Sequence, residues 1–298
     1  YGPAAGTMRE LIGMLIDGWE KSEWKPHVLS PKTVYQQSYP RQDVLKIKAL
    51  LEKAYKEADG NELVTRRLDY YAPALRDFFA ESDLIVGGKG IKPLKVYQVP
   101  EEPTIDGKLT EKVWDRITPA EYVGVGKTKQ GKPRFPTWVK AVWTRRGITF
   151  GFRMEEPDIA KLKMDIGKGS RDAALIWWND NVEIFLDPTG DRRGYYQFIV
   201  NPKGAIYDSI GRENTSWDAP AVKTGAHVGD GYWSVEIYIP YASFKDAVLP
   251  ATGTKWYGNF TRHRVTDRKQ REYTGYNVTE GAPSHDQNAF GPIEFIEE

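Results

Sequence analysis

The chain has 298 residues, with 42 basic and 41 acidic side chains and a formal net charge of +1. That balance gives no electrostatic pull toward nucleic acid, and no basic run of the polyanion-binding kind occurs. No apolar stretch reaches about 18 residues, so no transmembrane helix is expected; the absence of cysteine excludes disulfides and thiolate metal sites.

The length suits about two domains, each able to bury its own core. The opening "YGPAAGTMRELIGML" lacks a basic segment followed by an apolar core, so it does not read as a signal peptide. With no starting methionine, the chain is expected to be a fragment or a processed form. Ten tryptophans and seventeen tyrosines bring the aromatic share to 13% with Phe included, and exposed aromatics are a common device for stacking on flat ligands.

The first 85 or so residues read as helical. Met8, Leu11, Ile12, Leu15 and Trp19 form one stripe at helical spacing. Val44, Ile47, Leu50, Leu51 and Tyr55 form a second, which Gly60 ends at a C-cap position. A third amphipathic segment, "NELVTRRLDYYAPALRDFFAES", is expected to bend or break at Pro73. "SDLIVGGKGIKP", Ser82 to Pro93, reads as a linker, with the boundary near residue 92.

Beyond the linker the period changes from 3.6 to 2. "TWVKAVWTRRGITFGFRM" reads as two strands with a turn at Gly147, and "NVEIFLDPTGDRRGYYQFIVNPKGAIYDSI" as three strands with two turns. "GYWSVEIYIPYASF", "KWYGNFTRHRVTD" and "FGPIEFIEE" supply further strands. The expected architecture is α+β with the two parts segregated: a helical bundle over 1–92, then an antiparallel β-sandwich over 93–298.

The stretch "IWWNDNVEIFLDP" concentrates the chemistry. Alternation puts Val182, Ile184 and Leu186 on the core face and Glu183, Phe185 and Asp187 on the other, with Trp177 on the Glu183 side and Trp178 on the core side. An indole face beside a carboxylate suits a pyranose, whose C–H face stacks while its hydroxyls donate to the acid. The competing reading buries both tryptophans and leaves Glu183 to cap a loop or pair with an arginine. Arg262 and Arg264 share a strand face and could offer planar donors to hydroxyls or a uronate; a solvated face or acid partners is the commoner use of such residues. Asp180, Asp187 and Asp191 could supply oxygen ligands for calcium, although nothing matches a continuous calcium loop.

Catalytic patterns are poor. The four histidines show no zinc-type spacing, and no nucleophile elbow occurs. "GVGKTKQGKP" reads as a surface hairpin rather than a phosphate loop. Glu183 and Asp187 are four apart on one strand, roughly 13 Å, beyond the about 5–9.5 Å that glycosidase carboxylates need.

"TIDGKLTEKVWDRI", "WWNDNVEIFLDP", "YYQFIVNPKGAIYDS", "GYWSVEIYIPYASF" and "AFGPIEF" occur in that order. Together they resemble the family 9 carbohydrate-binding module and its relatives, over about residues 96–298. The resemblance implies a β-sandwich that binds glycans without catalysis, with two tryptophans sandwiching a sugar and calcium supporting the fold. Trp177 matches the tryptophan before the "D-x-V-E-I-F" strand, and Glu183 its sugar-contacting glutamate. Ile199 stands where an arginine can face the sugar, and "GAPSHDQNAFG" lacks the second tryptophan. His285 or Tyr276 would substitute, and Arg262 or Arg264 would take the place of a polar contact. The first 85 residues resemble the helical region of large glycosidase-like proteins, which implies an upstream catalytic domain, an extracellular or periplasmic location, and a plant- or algal-type polysaccharide as partner. Three other readings stand beside this one: a sandwich that has lost its sugar site and only packs on a catalytic domain, a self-contained glycosidase, and, more remotely, a haem-binding sandwich.

Overall fold

The computed structural model describes residues 1–20, 38–39, 41–86, 92–122, 124–125, 133–167, 169–191, 193–212, 214–251, 253–266, 271–277, 284–285 and 287–297. The chain divides into two compact units, Tyr1–Lys89 and Gly90–Glu298.

The first unit holds α1 (Ala5–Glu20), α2 (Arg41–Ala58) and α3 (Glu62–Val86). Met8 and Leu11 pack with Val44, Ile47, Leu51, Val64 and Leu68 in one core, because residues three and four apart share a helix face. The stripe expected on α1 is only half buried: Ile12 and Trp19 are exposed. "DGN" switches α2 to α3. Gly60 takes φ +74°, and Asn61 Oδ1 accepts the Val64 amide at 3.1 Å as an N-cap. Pro73 does not break α3, which runs through it to Val86; the expected linker therefore begins later than Ser82, and its residues 87–91 lie outside the described ones.

In the second unit the strands are β1 (Leu94–Gln98), β2 (Ala120–Glu121), β3 (Gly124–Val125), β4 (Thr137–Trp143), β5 (Gly147–Glu155), β6 (Asn181–Asp187), β7 (Tyr196–Val200), β8 (Ile206–Ile210), β9 (Lys223–Val228), β10 (Tyr232–Pro240), β11 (Lys255–Arg264), β12 (Glu272–Gly275) and β13 (Gly291–Ile296). A five-residue helix, α4 (Lys112–Arg116), precedes β2. Of the expected "GVGKTKQGKP" hairpin, Gly124–Val125 forms β3 against β12, and residues 126–132 lie outside the described ones.

The sheet order is β8-β7-β6-β11-β13-β1-β4-β5-β10-β9. The expectation of a purely antiparallel sandwich needs one correction: β1 runs parallel to both β13 and β4 and so joins the two halves into one continuous path. The path folds over on itself. Phe260 on β11 meets Phe150 and Phe152 on β5 at ring-centroid distances of 5.2 and 6.0 Å. The core lies between the halves and takes alternate residues of each strand, Val182, Ile184 and Leu186 from β6 among them.

Each half also has an outer face. On β10, Glu236 is buried there and accepts the Asp106 and Gly107 amides and the Trp114 indole N–H, which clamps the "TIDGKLTEKVWDRI" segment onto the sheet. On β6 the outer face carries Glu183.

Candidate functional site

Strand register lays out the outer face of β6. Glu183 lies between Ile199 on β7 and Thr261 on β11, and Ile199 lies beside Tyr207 on β8. One step along, Asn181 pairs with His263, which pairs with Tyr273 on β12. One step the other way, Phe185 lies between Gln197 and Asn259. The alternation expected for β6 is correct in phase, but the outer face is covered: Glu183 is 5% exposed and Phe185 fully buried.

Trp177 sits above this face on a single 3-10 turn, Ile176–Trp178, entered through Leu175 at φ +73°. The turn interrupts the alternation, so Trp178 is not in the core as expected; Trp177 is 38% and Trp178 44% exposed, while Ile176 is buried in their stead. The Trp177 ring meets Tyr207 edge-on at 6.0 Å, and its carbonyl accepts a hydrogen bond from His263 Nδ1 at 2.8 Å. Trp177 is thus tied to β8 through its ring and to β11 through its carbonyl. Arg271 lies over the Trp178 ring at 4.5 Å.

His263 organises this end of the face. Its ring stacks on Tyr273 at 3.8 Å with planes 16° apart, and burial pushes its pKa down to about 4. The ring is therefore neutral. Since a carbonyl can only accept, Nδ1 carries the proton and Nε2 is left as a lone-pair acceptor. That Nε2 is buried without a hydrogen-bond partner, as are Asn181 Oδ1 and Thr261 Oγ1 beside it. Glu183 accepts from Gln197 Nε2 at 3.1 Å, and no ion pair reaches it among the described residues. Burial pushes its carboxyl up to about 7.

That shift has a sign in stability. Between about 4.5 and about 7 the folded protein holds a proton on Glu183 that the unfolded chain releases, so stability falls as pH rises through this window. Glu183→Gln keeps an oxygen for Gln197. Its stability should match the wild type near about pH 5 and exceed it by on the order of 1–3 kcal/mol near about pH 8. Urea unfolding at both pH values checks this; a difference that does not change with pH would contradict it.

The other residues expected at the site fall elsewhere. Arg262 and Arg264 do share a face, but it is the inner one. Both are buried and both donate to Glu156, Arg264 from Nε at 2.6 Å and Nη2 at 2.8 Å, Arg262 from Nη2 at 3.1 Å. Neither guanidinium can reach a ligand on the Glu183 face. Tyr276 is buried in the core and donates to the Pro93 carbonyl at 2.8 Å. Three residues earlier, on β12, Tyr273 is 43% exposed and pairs with His263; the "EYTGY" alternation carries that signal. His285 lies on the Glu183 side, half-buried against Phe185, its Nδ1 at 2.7 Å from the Tyr195 hydroxyl.

Asp180, Asp187 and Asp191 do not assemble. Asp180 accepts the Val265 and Lys163 amides, Asp187 closes the turn onto Thr189 and Gly190, and Asp191 accepts from Thr189 Oγ1 and the Arg193 amide. Among the described residues, the acids that do cluster are Asp172, Asp208 and Asp218, with one oxygen from each within 4.8 Å of the others. Arg171 donates to Asp208 at 2.6 Å and to Asp218 at 2.7 Å, and burial pushes Asp208 up to about 6.

No family model matches the chain, and no curated protein matches it. Solved structures do. The β unit has the fold of family 9 carbohydrate-binding modules. One such module from Caldicellulosiruptor kristjanssonii, in complex with cellotriose, superposes with a TM-score of 0.54 at 17% identity, over 70% of this chain and 95% of that one. The same organism's module in complex with glucose gives 0.52 at 16%, over 68% and 96%. A Bacteroides uniformis protein, solved as a candidate carbohydrate-binding protein, gives 0.54 at 20%, over 69% and 99%.

Proposed function

We propose that the β unit binds carbohydrate without catalysis, through the outer face of β6. The observation that carries this reading is Trp177: a partly exposed indole, held by Tyr207 against its ring and by His263 on its backbone carbonyl, beside a patch of buried polar side chains with unmet hydrogen-bonding capacity. A sugar uses both features, stacking its C–H face on the ring and turning hydroxyls to the acceptors. The fold shared with modules solved with cellotriose and glucose supports the same reading. Against a glycosidase stands Asp187, a strand's length from Glu183 and engaged in its own turn.

The reading extends to the setting. The chain is a C-terminal part of a larger, secreted polysaccharide-degrading protein, tethered to an upstream catalytic domain, and its ligand is a plant- or algal-type polysaccharide; the sequence resemblance supports this. Tethering raises local substrate concentration, so weak binding suffices.

The test is affinity electrophoresis through gels containing soluble polysaccharides, wild type beside Trp177→Ala. Retardation by at least one polymer, lost in the variant, is expected. No retardation of the folded protein by any polymer would favour a purely structural sandwich, a reading that the nearly complete burial of Glu183 and the place of Ile199 beside it also motivate.

A further inference from the structure

Four side chains on the outer face make a compact group. Asn181 pairs across the strands with His263, and Glu183, two residues on, with Thr261, so the four occupy the corners of a patch about 5 by 7 Å. All four are buried. Asn181 spends its amide nitrogen on the Asn179 carbonyl at 2.9 Å and leaves Oδ1 open. His263 spends Nδ1 on Trp177 and leaves Nε2 open. Glu183 receives Gln197 and has no neighbouring cation among the described residues; below about pH 7 it holds a proton, which an ammonium group arriving there would displace. With that proton displaced, Asn181 Oδ1, His263 Nε2 and the Glu183 carboxylate all present acceptors, against one remaining Asn181 N–H and the Thr261 hydroxyl as donors.

A neutral hydroxyl is half donor and half acceptor, so it uses such a patch poorly. A uronate would bring a second carboxylate against Glu183. A protonated amine brings three donors, no acceptor and the missing charge. Resting on the carbohydrate-binding reading above, we propose that Asn181, Glu183 and His263 form an ammonium pocket, and that the preferred ligand is a glycan carrying free amines, such as a 2-amino-2-deoxyhexose polymer. The arginines that would have favoured an anionic sugar are on the inner face, held by Glu156. Arg271, whose charge reaches His263, opposes the proposal, but it lies exposed at the rim over Trp178, where solvent screens it.

The experiment is calorimetric titration at mildly acidic pH with three oligosaccharides of equal length: a β-1,4-glucosamine oligomer, its N-acetylated form and a cello-oligosaccharide. The glucosamine oligomer should bind about tenfold tighter than either of the others, the size of a hydrogen bond to a charged group. In Glu183→Gln the glucosamine and cello affinities should converge. Equal or weaker binding of the glucosamine oligomer, with the cello-oligosaccharide bound, would overturn the amine proposal and leave the carbohydrate reading standing. Binding of none of the three by the folded protein would sink both.

Discussion

Replacing Glu156 by alanine should destabilise the β unit by about 3–5 kcal/mol, the cost of stripping the partner from a buried ion pair. Glu156 is fully buried and is the shared acceptor of Arg262 and Arg264, themselves only 2% exposed. Burial pushes Arg262 down to about 10 even against the attraction of Glu156, the largest effect opposing it. Without the carboxylate, two guanidinium groups would face each other inside the sandwich. Asp158, at 3.7 Å from Arg264 and 44% exposed, cannot replace it. Glu156→Gln should cost nearly as much, because it keeps the shape and removes the charge. The adjacent Arg153–Glu155 pair is a control: it is partly exposed at 3.0 Å, and its loss should cost no more than about 0.5 kcal/mol. Urea unfolding of the three variants decides. A loss below about 1 kcal/mol for Glu156→Ala would show that water reaches the cluster and that the arginines are not committed to it.

Removing Glu236 should be the second most damaging change, at about 3 kcal/mol. Its carboxylate receives the Gly107 amide at 2.7 Å, the Asp106 amide at 3.0 Å and the Trp114 indole at 2.9 Å. Three donors would lose their acceptor at once, at about 1–3 kcal/mol per buried group and less than additively. The segment cannot settle closer to compensate: Gly107 is at φ +87°, and a Cβ there would already meet the Ala226 backbone at 2.5 Å. In Glu236→Ala the stability loss should come with new protease sensitivity around residues 104–116. Wild-type stability and an intact segment would show that Trp114 packing alone holds it down.

Much of this fold is legible in the chain. β6 announces its phase through Val182, Ile184 and Leu186, which all enter the core, and turns such as "DPTG" and "NPKG" mark where its neighbours begin. Other features depend on partners far away in sequence. The parallel pairing of β1 joins residues 94–97 to 293–296, and no local pattern encodes it. The shared face of Arg262 and Arg264 was readable, but two arginines on a core face make sense only with Glu156, over 100 residues earlier. Alternation misplaces Trp178 because Ile176–Trp178 is a 3-10 turn rather than strand. Tyr276 stood for an exposed aromatic that is in fact Tyr273, because β12 ends at Gly275 and the chain turns inward there. Asp172, Asp208 and Asp218 come from three separate segments, and only the folded sheet brings them together.

The most direct test of the central claim reads the tryptophans themselves. The chain has ten, so the 1H–15N spectrum should show ten indole resonances, with Trp177 assigned through Trp177→Phe. During titration with a soluble glycan that retards the protein, the Trp177 resonance should shift saturably, while those of the buried Trp114, Trp233 and Trp256 stay in place. A bound glycan that leaves Trp177 unmoved and shifts resonances elsewhere would contradict the assignment of the site to the outer face of β6.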